Sequence, residues 1–215
     1  MSIRTEKAVT SQNKKTVDMN LRRLIPLVML SCLPLLGCAK ETVQTEDSAE
    51  KPEEPKILVA CFSFTGTTKT VASSILNLVG GTLYMIEPET PYGSENNTYY
   101  DESTRAYQEQ SGPASLRPAI QRTLENAADY DVILLGFPIW YGKAPRVVFT
   151  FLDTYLFKGK TVIPFITSGS TGISSAAAEL KTAFPDIAWK TGDRLNGKTA
   201  EQLSAWLKSL GIKVK

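Results

Sequence analysis

The sequence lacks histidine entirely and has only three cysteines among its 215 residues. Without an imidazole, the chain cannot form a Ser-His-Asp triad, a histidine-ligated zinc site or an imidazole proton shuttle. Cys32, Cys38 and Cys61 show neither CxxC spacing nor a disulfide framework. The formal net charge of +2 is too weak to indicate nucleic acid as a partner. What remains is a chain that is 42% hydrophobic, which is enough to bury a sizeable core.

Three loop motifs of common nucleotide-binding and hydrolytic enzymes are also absent. The chain has no GxxxxGK[ST] phosphate loop, no GxGxxG dinucleotide fingerprint and no GxSxG nucleophile elbow. It shows no internal repeat either. These absences argue against a P-loop nucleotidase, a dinucleotide-binding dehydrogenase and a serine hydrolase.

The first 37 residues predict a secretory signal peptide. A polar, basic stretch over residues 1–23 precedes an apolar run, residues 24–37, that contains Pro26 and Pro34. That run is shorter than the about 20 residues that a membrane-spanning helix needs. A basic flank, a short apolar core and small residues at its end are typical of a signal peptide. A buried core helix is the alternative interpretation.

The apolar run ends in Leu35-Leu36-Gly37-Cys38, which resembles the bacterial lipobox. The resemblance implies cleavage before Cys38, diacylglycerol on its thiol and a position on the extracytoplasmic face of a bacterial membrane. Residues 38–55 would then be a lipid-anchored tether, because they are rich in Glu and Asp and have almost nothing to bury. The folded domain is expected over residues 56–215.

Apolar strand patterns and amphipathic helix patterns alternate along this domain. The first strand is a continuous apolar run, as a strand buried on both faces of a parallel sheet requires. This alternation predicts a doubly wound α/β sheet, whose ligands bind beyond the carboxyl ends of the strands. Strands are predicted over residues 56–62, 82–87, 132–137, 162–167 and 186–195, and helices over residues 71–79, 116–127, 145–155, 172–184 and 199–210.

The loop after the first strand carries four hydroxyl side chains and a glycine immediately before a helix. Backbone N–H groups and the helix dipole favour an anion at such a position, and hydroxyl groups can donate to phosphate oxygens. An ordinary Ser/Thr helix cap is the alternative interpretation. The candidate phosphate ligands are Ser63, Thr65, Gly66, Thr67 and Thr68.

The loops after the third and fourth strands carry the other candidate ligands. Two adjacent aromatic residues in a turn bounded by Gly and Pro suggest a planar ligand, although one of the two could be a core residue. In the other loop, glycines would let the backbone approach a flat ring. The candidates are Pro138, Ile139, Trp140, Tyr141 and Gly142 in the first of these loops and Ser168, Gly169 and Gly172 in the second.

The three loops together resemble those of the flavodoxins. SFTGTT at residues 63–68 is similar to the flavodoxin phosphate loop, (S/T)-x-T-G-x-T, and GFPIWYG and TSGSTG are similar to the two loops that clasp the isoalloxazine ring. The resemblance implies a five-stranded parallel sheet in the order 2-1-3-4-5 with helices on both faces, and FMN as the cofactor. It leaves open whether Trp140 or Tyr141 stacks on the ring.

Residues 88–115 are an insertion between the second strand and the next predicted helix, far longer than the usual two to six residues. The segment could be a lid, a substrate wall or a surface helix. As a lid it would offer Arg105 to a phosphate or carboxylate of an incoming molecule. Its aromatic and basic residues are Tyr92, Tyr99, Tyr100, Arg105 and Tyr107.

Two functions are consistent with these features. The first is an electron carrier that exchanges electrons with a redox partner protein, which is favoured because no nicotinamide motif is visible. The second is an FMN-dependent NAD(P)H reductase of a small acceptor such as a quinone, which the neutral charge and the aromatic insertion favour. Cys61, within the first strand, is expected to be a buried, unreactive thiol.

Overall fold

The computed structural model describes residues 54–97 and 101–215. The predicted signal peptide, Cys38 and the tether up to residue 53 lie outside the described residues, as do Tyr99 and Tyr100. Within the described part of the chain, no helix is both long and apolar enough to cross a membrane.

A parallel sheet forms the centre of the domain. Its strands are β1 (Ile57–Cys61), β2 (Thr82–Met85), β3 (Val132–Pro138), β4 (Thr161–Thr167), β5 (Ala188–Trp189) and β6 (Asp193–Arg194). The order is β2-β1-β3-β4-β5, and β6 also pairs with β4. The predicted fold class and strand order are therefore confirmed.

The helices cover both faces of the sheet. They are α1 (Thr67–Val79), α2 (Arg105–Ser111), α3 (Arg146–Tyr155), α4 (Ser174–Ala183) and α5 (Ala200–Ser209). Side chains of β3 alternate between the faces: Leu135 belongs to the core layer that includes Phe151 of α3, and Leu134 to the layer that includes Leu207 of α5. This burial on both sides explains why the strands are continuous apolar runs.

The predicted last strand, residues 186–195, is broken into the two short strands β5 and β6. Lys190 N–H donates to the Val162 carbonyl oxygen (3.0 Å), and Leu195 N–H donates to that of Ile166 (2.9 Å). Between these two bonds lies Pro164 of β4, which has no N–H to donate to the neighbouring strand. Gly192 lies so close to the Pro164 carbonyl that a Cβ would not fit there.

The predicted helix over residues 116–127 is wrong. The segment is extended, and Ile120 forms an antiparallel bridge with Pro88. Glu89 N–H donates to the Ala119 carbonyl (2.9 Å), and Gln121 N–H donates to that of Glu87 (2.8 Å). Pro118 cannot take part in an interior helical hydrogen bond, so pairing with the chain beyond β2 prevails over the helical pattern.

Candidate cofactor site

The three predicted loops meet at the carboxyl edge of the sheet and enclose a cavity of about 410 Å³, here called the loop cavity. Its size suits a cofactor-sized ligand. None of its lining side chains carries a formal charge. The lining residues are Phe64, Thr65, Thr67, Thr68, Asn96, Ala106, Pro138, Ile139, Trp140, Tyr141, Thr167, Ser168, Gly169 and Asn196.

The turn before α1 presents backbone amides at one end of the loop cavity. Gly66, the N-cap, has a φ of 89°, and α1 has no side-chain cap and no acidic residue in its first turn. In the part of the chain that the structure describes, nothing accepts a hydrogen bond from the N–H groups of Thr67 or Thr68. The hydroxyl groups of Thr65 and Thr67 are exposed and 3.3 Å apart. This end of the cavity therefore offers both amide and hydroxyl donors to an anion.

Ser63 and Thr68, which were also predicted as phosphate ligands, already have partners in the structure. Ser63 Oγ accepts a hydrogen bond from the Lys69 N–H (3.1 Å), and Ser63 lines no cavity that we describe. Thr68 is buried, and its Oγ1 is 2.8 Å from Thr167 Oγ1, so this hydroxyl pair fastens α1 to the end of β4. Thr65 and Thr67 are hydrogen bonded to each other, but both are exposed and line the cavity, so they are the most available of the predicted hydroxyl ligands.

A second, shallower cavity of about 390 Å³ continues past the turn, between the start of α1 and residues 196–197. Thr65, Thr67 and Asn196 line both cavities. Thr65 and Thr67 are therefore accessible from both cavities.

The loop after β3 forms a tight hairpin. Trp140 N–H donates to the Lys143 carbonyl (3.0 Å), and Lys143 N–H donates to that of Trp140 (2.9 Å). The two central residues, Tyr141 and Gly142, both have positive φ, 50° and 80°. Positive φ is uncommon for a residue with a bulky side chain and costs free energy, which surrounding structure must offset. The hairpin therefore holds Tyr141 at the rim in a conformation that an unconstrained loop would avoid.

The two aromatic residues of this hairpin have different surroundings. The Trp140 ring packs edge to face against Phe62 (5.2 Å between centroids), Phe64 (5.9 Å) and Tyr92 (4.8 Å). Tyr141 lies next to Tyr107 of the insertion, with ring centroids 5.3 Å apart. Both residues line the loop cavity, so neither is solely a core residue.

In the loop after β4, Ser168 and Gly169 line the cavity, but the exposed Gly172 does not. Asn196, which follows β6, holds this loop in place. Its Oδ1 accepts a hydrogen bond from the Ser168 N–H (3.2 Å), and its Nδ2 donates to the Ser168 carbonyl (3.1 Å). Gly142 likewise lines no cavity that we describe. It lies at the turn of the hairpin.

Sequence reasoning missed Phe64, Asn96, Ala106, Thr167 and Asn196 as lining residues. Thr167 is the last residue of β4, so its position at the carboxyl edge was available as a signal. Asn96 and Ala106 belong to the insertion, where no sequence pattern indicated which residues face the cavity. Asn96 Oδ1 accepts a hydrogen bond from the Ala106 N–H (2.8 Å), and this bond fixes the two residues relative to each other in the cavity wall.

The insertion is a wall of the cavity, but the role expected for Arg105 is not supported. Arg105 Nε donates to Glu109 Oε1 (2.6 Å), and its Nη1 donates to the Thr90 carbonyl (2.5 Å). The guanidinium also lies over the Tyr92 ring, 4.3 Å from its centroid. Because these contacts use the guanidinium within the insertion, it is not positioned to receive an incoming anion.

A larger cavity, about 950 Å³, lies at the opposite edge of the sheet. Lys56, just before β1, and Thr82, the first residue of β2, are among its lining residues, which places it at the amino ends of these strands. None of the predicted loop motifs reaches it. We therefore assign the cofactor site to the loop cavity, as expected for an open parallel sheet.

The fold and the loop cavity define a class: doubly wound α/β proteins with a ligand site between a helix N-terminus and an aromatic hairpin. A family model described as flavodoxin matches residues 56–210. The chain belongs to the flavodoxin family.

Similar solved structures agree with this assignment. Two proteins described as flavoproteins, from Bacteroides eggerthii and Bacteroides uniformis, are 42% and 44% identical, with TM-scores of 0.71 and 0.69. The alignments cover 74% and 73% of this chain and 100% and 99% of theirs. A flavoprotein in complex with FMN from Lactobacillus acidophilus has the same fold at 24% identity, with a TM-score of 0.54 and coverage of 66% and 93%. The comparison with curated proteins gives no match.

Proposed function

We propose that the chain is an FMN-binding electron-transfer protein that is held at a bacterial membrane by a lipid on Cys38. The observation that carries the FMN assignment is the layout of the loop cavity, with amide and hydroxyl donors at one end and aromatic residues at the other. A ligand with a terminal phosphate and a planar ring system matches both ends. The Lactobacillus flavoprotein with bound FMN, which shares the fold, supports this choice.

The phosphate would be held by the first turn of α1. The N–H groups of Thr67 and Thr68 have no acceptor among the described residues, and the helix dipole favours negative charge at this position. The hydroxyl groups of Thr65 and Thr67 can each donate one hydrogen bond. No Lys or Arg side chain lines the loop cavity, which suits a monoester that is bound and not transferred.

The ring would lie between the hairpin and the loop after β4. The φ of 50° at Tyr141 makes this residue our choice for the stacking side chain, because strained backbone at a cavity rim is a sign of function. Trp140, held by three other aromatic rings, would form a fixed wall. FMN supplies the redox chemistry, and the protein orients the ring and sets its polar surroundings.

We favour the electron carrier over the reductase. Arg105, the anion-binding side chain expected for a nicotinamide site, is used inside the insertion, and the loop cavity has no charged lining residue. A redox partner protein would therefore deliver and remove electrons at the accessible edge of the ring. The alternative remains an NAD(P)H reductase of a small acceptor such as a quinone.

Anaerobic reduction distinguishes the two functions. Residues 54–215 are suitable, since the Bacteroides relatives are covered almost completely by this domain. The FMN-loaded domain is mixed with NADPH or NADH in a stopped-flow instrument, with dithionite as the positive control. We expect bleaching of the flavin absorbance by dithionite only. Fast bleaching that saturates with nicotinamide concentration would instead establish the reductase.

The lipid anchor is tested by metabolic labelling with a fatty-acid analogue in a bacterial host. The full chain should incorporate label, and the Cys38→Ala variant should not, because the lipidated thiol is removed. Retention of label by the variant would contradict the proposal.

A further inference from the structure

The insertion contains a buried charged cluster that none of the preceding functions uses. Tyr92 and Glu109 are each 8% exposed. Tyr92 Oη donates to Glu109 Oε2 (2.5 Å), and Arg105 Nε donates to Glu109 Oε1 (2.6 Å). Burial raises the pKa of the Tyr92 phenol, and the hydrogen bond to Glu109 raises it further, so Tyr92 stays protonated as the donor. The Glu109 carboxylate thus connects two residues of the insertion.

A buried carboxylate is costly unless its oxygens are paired, and well-packed apolar side chains of similar volume are often at least as stabilising as a buried ion pair. The cluster is therefore better explained by the geometry that it fixes. Two contacts hold the Tyr92 side chain: Glu109 accepts a hydrogen bond from its hydroxyl group, and the Arg105 guanidinium lies over its ring.

The fixed Tyr92 ring is in direct contact with the cofactor site. It packs edge to face against Trp140, with centroids 4.8 Å apart and an interplanar angle of 89°. Trp140 lines the loop cavity. A path of direct contacts therefore runs from Glu109, through Tyr92, to the wall of the cavity.

The end of α2 is also bound to the hairpin and to the start of α3. Gln110 Nε2 donates to the Ala144 carbonyl (3.1 Å), Lys143 Nζ donates to the Gln110 carbonyl (3.2 Å), and Arg146 Nε donates to that of Glu109 (3.4 Å). Arg146 is itself buried and paired with Glu179 of α4 (3.1 Å). These bonds hold the end of α2 against the hairpin and the start of α3.

We propose that Glu109 is a positioning residue for the flavin site: it holds Tyr92, and Tyr92 sets the orientation of the Trp140 ring against the flavin. This inference rests on the proposed function, because it assigns the ring-binding end of the loop cavity to a flavin. Glu109 itself touches no cavity that we describe.

A double-mutant cycle between Glu109→Gln and Trp140→Phe tests the proposal. Dissociation constants for FMN and riboflavin are measured by quenching of flavin fluorescence, and free energies of unfolding are measured separately in urea. Glu109→Gln should weaken both flavins by the same factor, at least about threefold, because the ring contact and not the phosphate contact is changed. In the Trp140→Phe background the same substitution should have no effect on affinity. A purely structural role would lower stability without this dependence on Trp140.

Two further variants guard against simple misfolding. Tyr92→Phe keeps the ring, removes the hydroxyl donor and should reproduce the effect of Glu109→Gln. Glu89→Gln is the matched control, because Glu89 is an exposed carboxylate of the same insertion and its side chain contacts none of the aromatic residues of the cavity. Its flavin affinities should equal those of the wild type.

The outcomes separate this inference from the proposed function. If the wild type binds FMN, and Glu109→Gln and Tyr92→Phe bind it with wild-type affinity, the positioning role is wrong and the proposed function stands. If the wild type binds neither flavin, the proposed function is wrong, and the role of Glu109 toward a flavin falls with it. An effect of Glu109→Gln that persists unchanged in Trp140→Phe also overturns the positioning role.

Discussion

Cys61 lies at the end of β1 with none of its surface exposed, and its Sγ is 3.5 Å from Met85 Sδ. Burial raises the pKa of its thiol to about 12, and the charge of Lys69 only partly offsets this. The domain over residues 54–215 contains no other cysteine, so thiol measurements report on this residue alone.

The raised pKa predicts a loss of stability at alkaline pH. Below the pKa of about 8.5 for a thiol in the unfolded chain, both states are protonated and the contribution to stability is fully present. As pH rises toward 12, the unfolded chain releases the proton first, so the free energy of unfolding falls by up to about 1.4 kcal/mol per pH unit for this group.

Urea unfolding between pH 8 and pH 11 checks this prediction against a Cys61→Ala variant. The wild type should lose stability more steeply than the variant over this range. Parallel curves, or a native thiol that reacts with a thiol reagent as fast as the unfolded chain does, would contradict the buried, protonated state.

At the scale of elements, the hairpin between β3 and α3 depends on backbone conformation. Gly142 has a φ of 80°, with open space where a Cβ would lie. Gly142→Ala should therefore lower the free energy of unfolding by about 1 kcal/mol through backbone strain alone. Gly172 is the control, because it also has open space around it but no positive φ. Urea unfolding of the two alanine variants should separate them, and equal stabilities would contradict this account of the hairpin.

The elements that the sequence predicted correctly are those with local signals. β1 is a continuous apolar run, and α5 follows its N-cap Thr199, whose side chain forms a capping box with Gln202. Residues 116–127 lack such agreement. Leu116, Ile120 and Leu124 are spaced like one face of a helix, but Pro118 and pairing with residues 87–89 give an extended segment.

In the site, too, positions with a local sequence signal were predictable, and positions set by distant contacts were not. The carboxyl-edge positions of Thr65, Trp140 and Ser168 follow from strands that can be read in the sequence. The burial of Thr68 does not, because it depends on Thr167, which is 99 residues away. Nor does the use of Arg105, because its partners are set by how the insertion folds on Tyr92 and Glu109.

At the scale of the whole molecule, the proposed FMN site is a single cavity with a phosphate end and a ring end. In this proposal, the donors at the phosphate end would contact FMN but not riboflavin, which lacks the phosphate. The aromatic residues at the ring end would contact both flavins. Comparing the two flavins therefore separates the two ends of the cavity in one protein.

The most direct test of this claim is a titration of residues 54–215 with FMN and with riboflavin. The wild type should bind FMN at least about tenfold more tightly than riboflavin. Replacing both Thr65 and Thr67 by Ala would remove two hydrogen bonds to a charged group. Each is worth about 1.5–3 kcal/mol, and the two are not strictly additive. FMN affinity should therefore fall at least about tenfold, while riboflavin affinity is unchanged. Thr182→Ala, on the exposed face of α4, serves as the control. Equal affinities of the wild type for the two flavins would contradict a phosphate site at the start of α1.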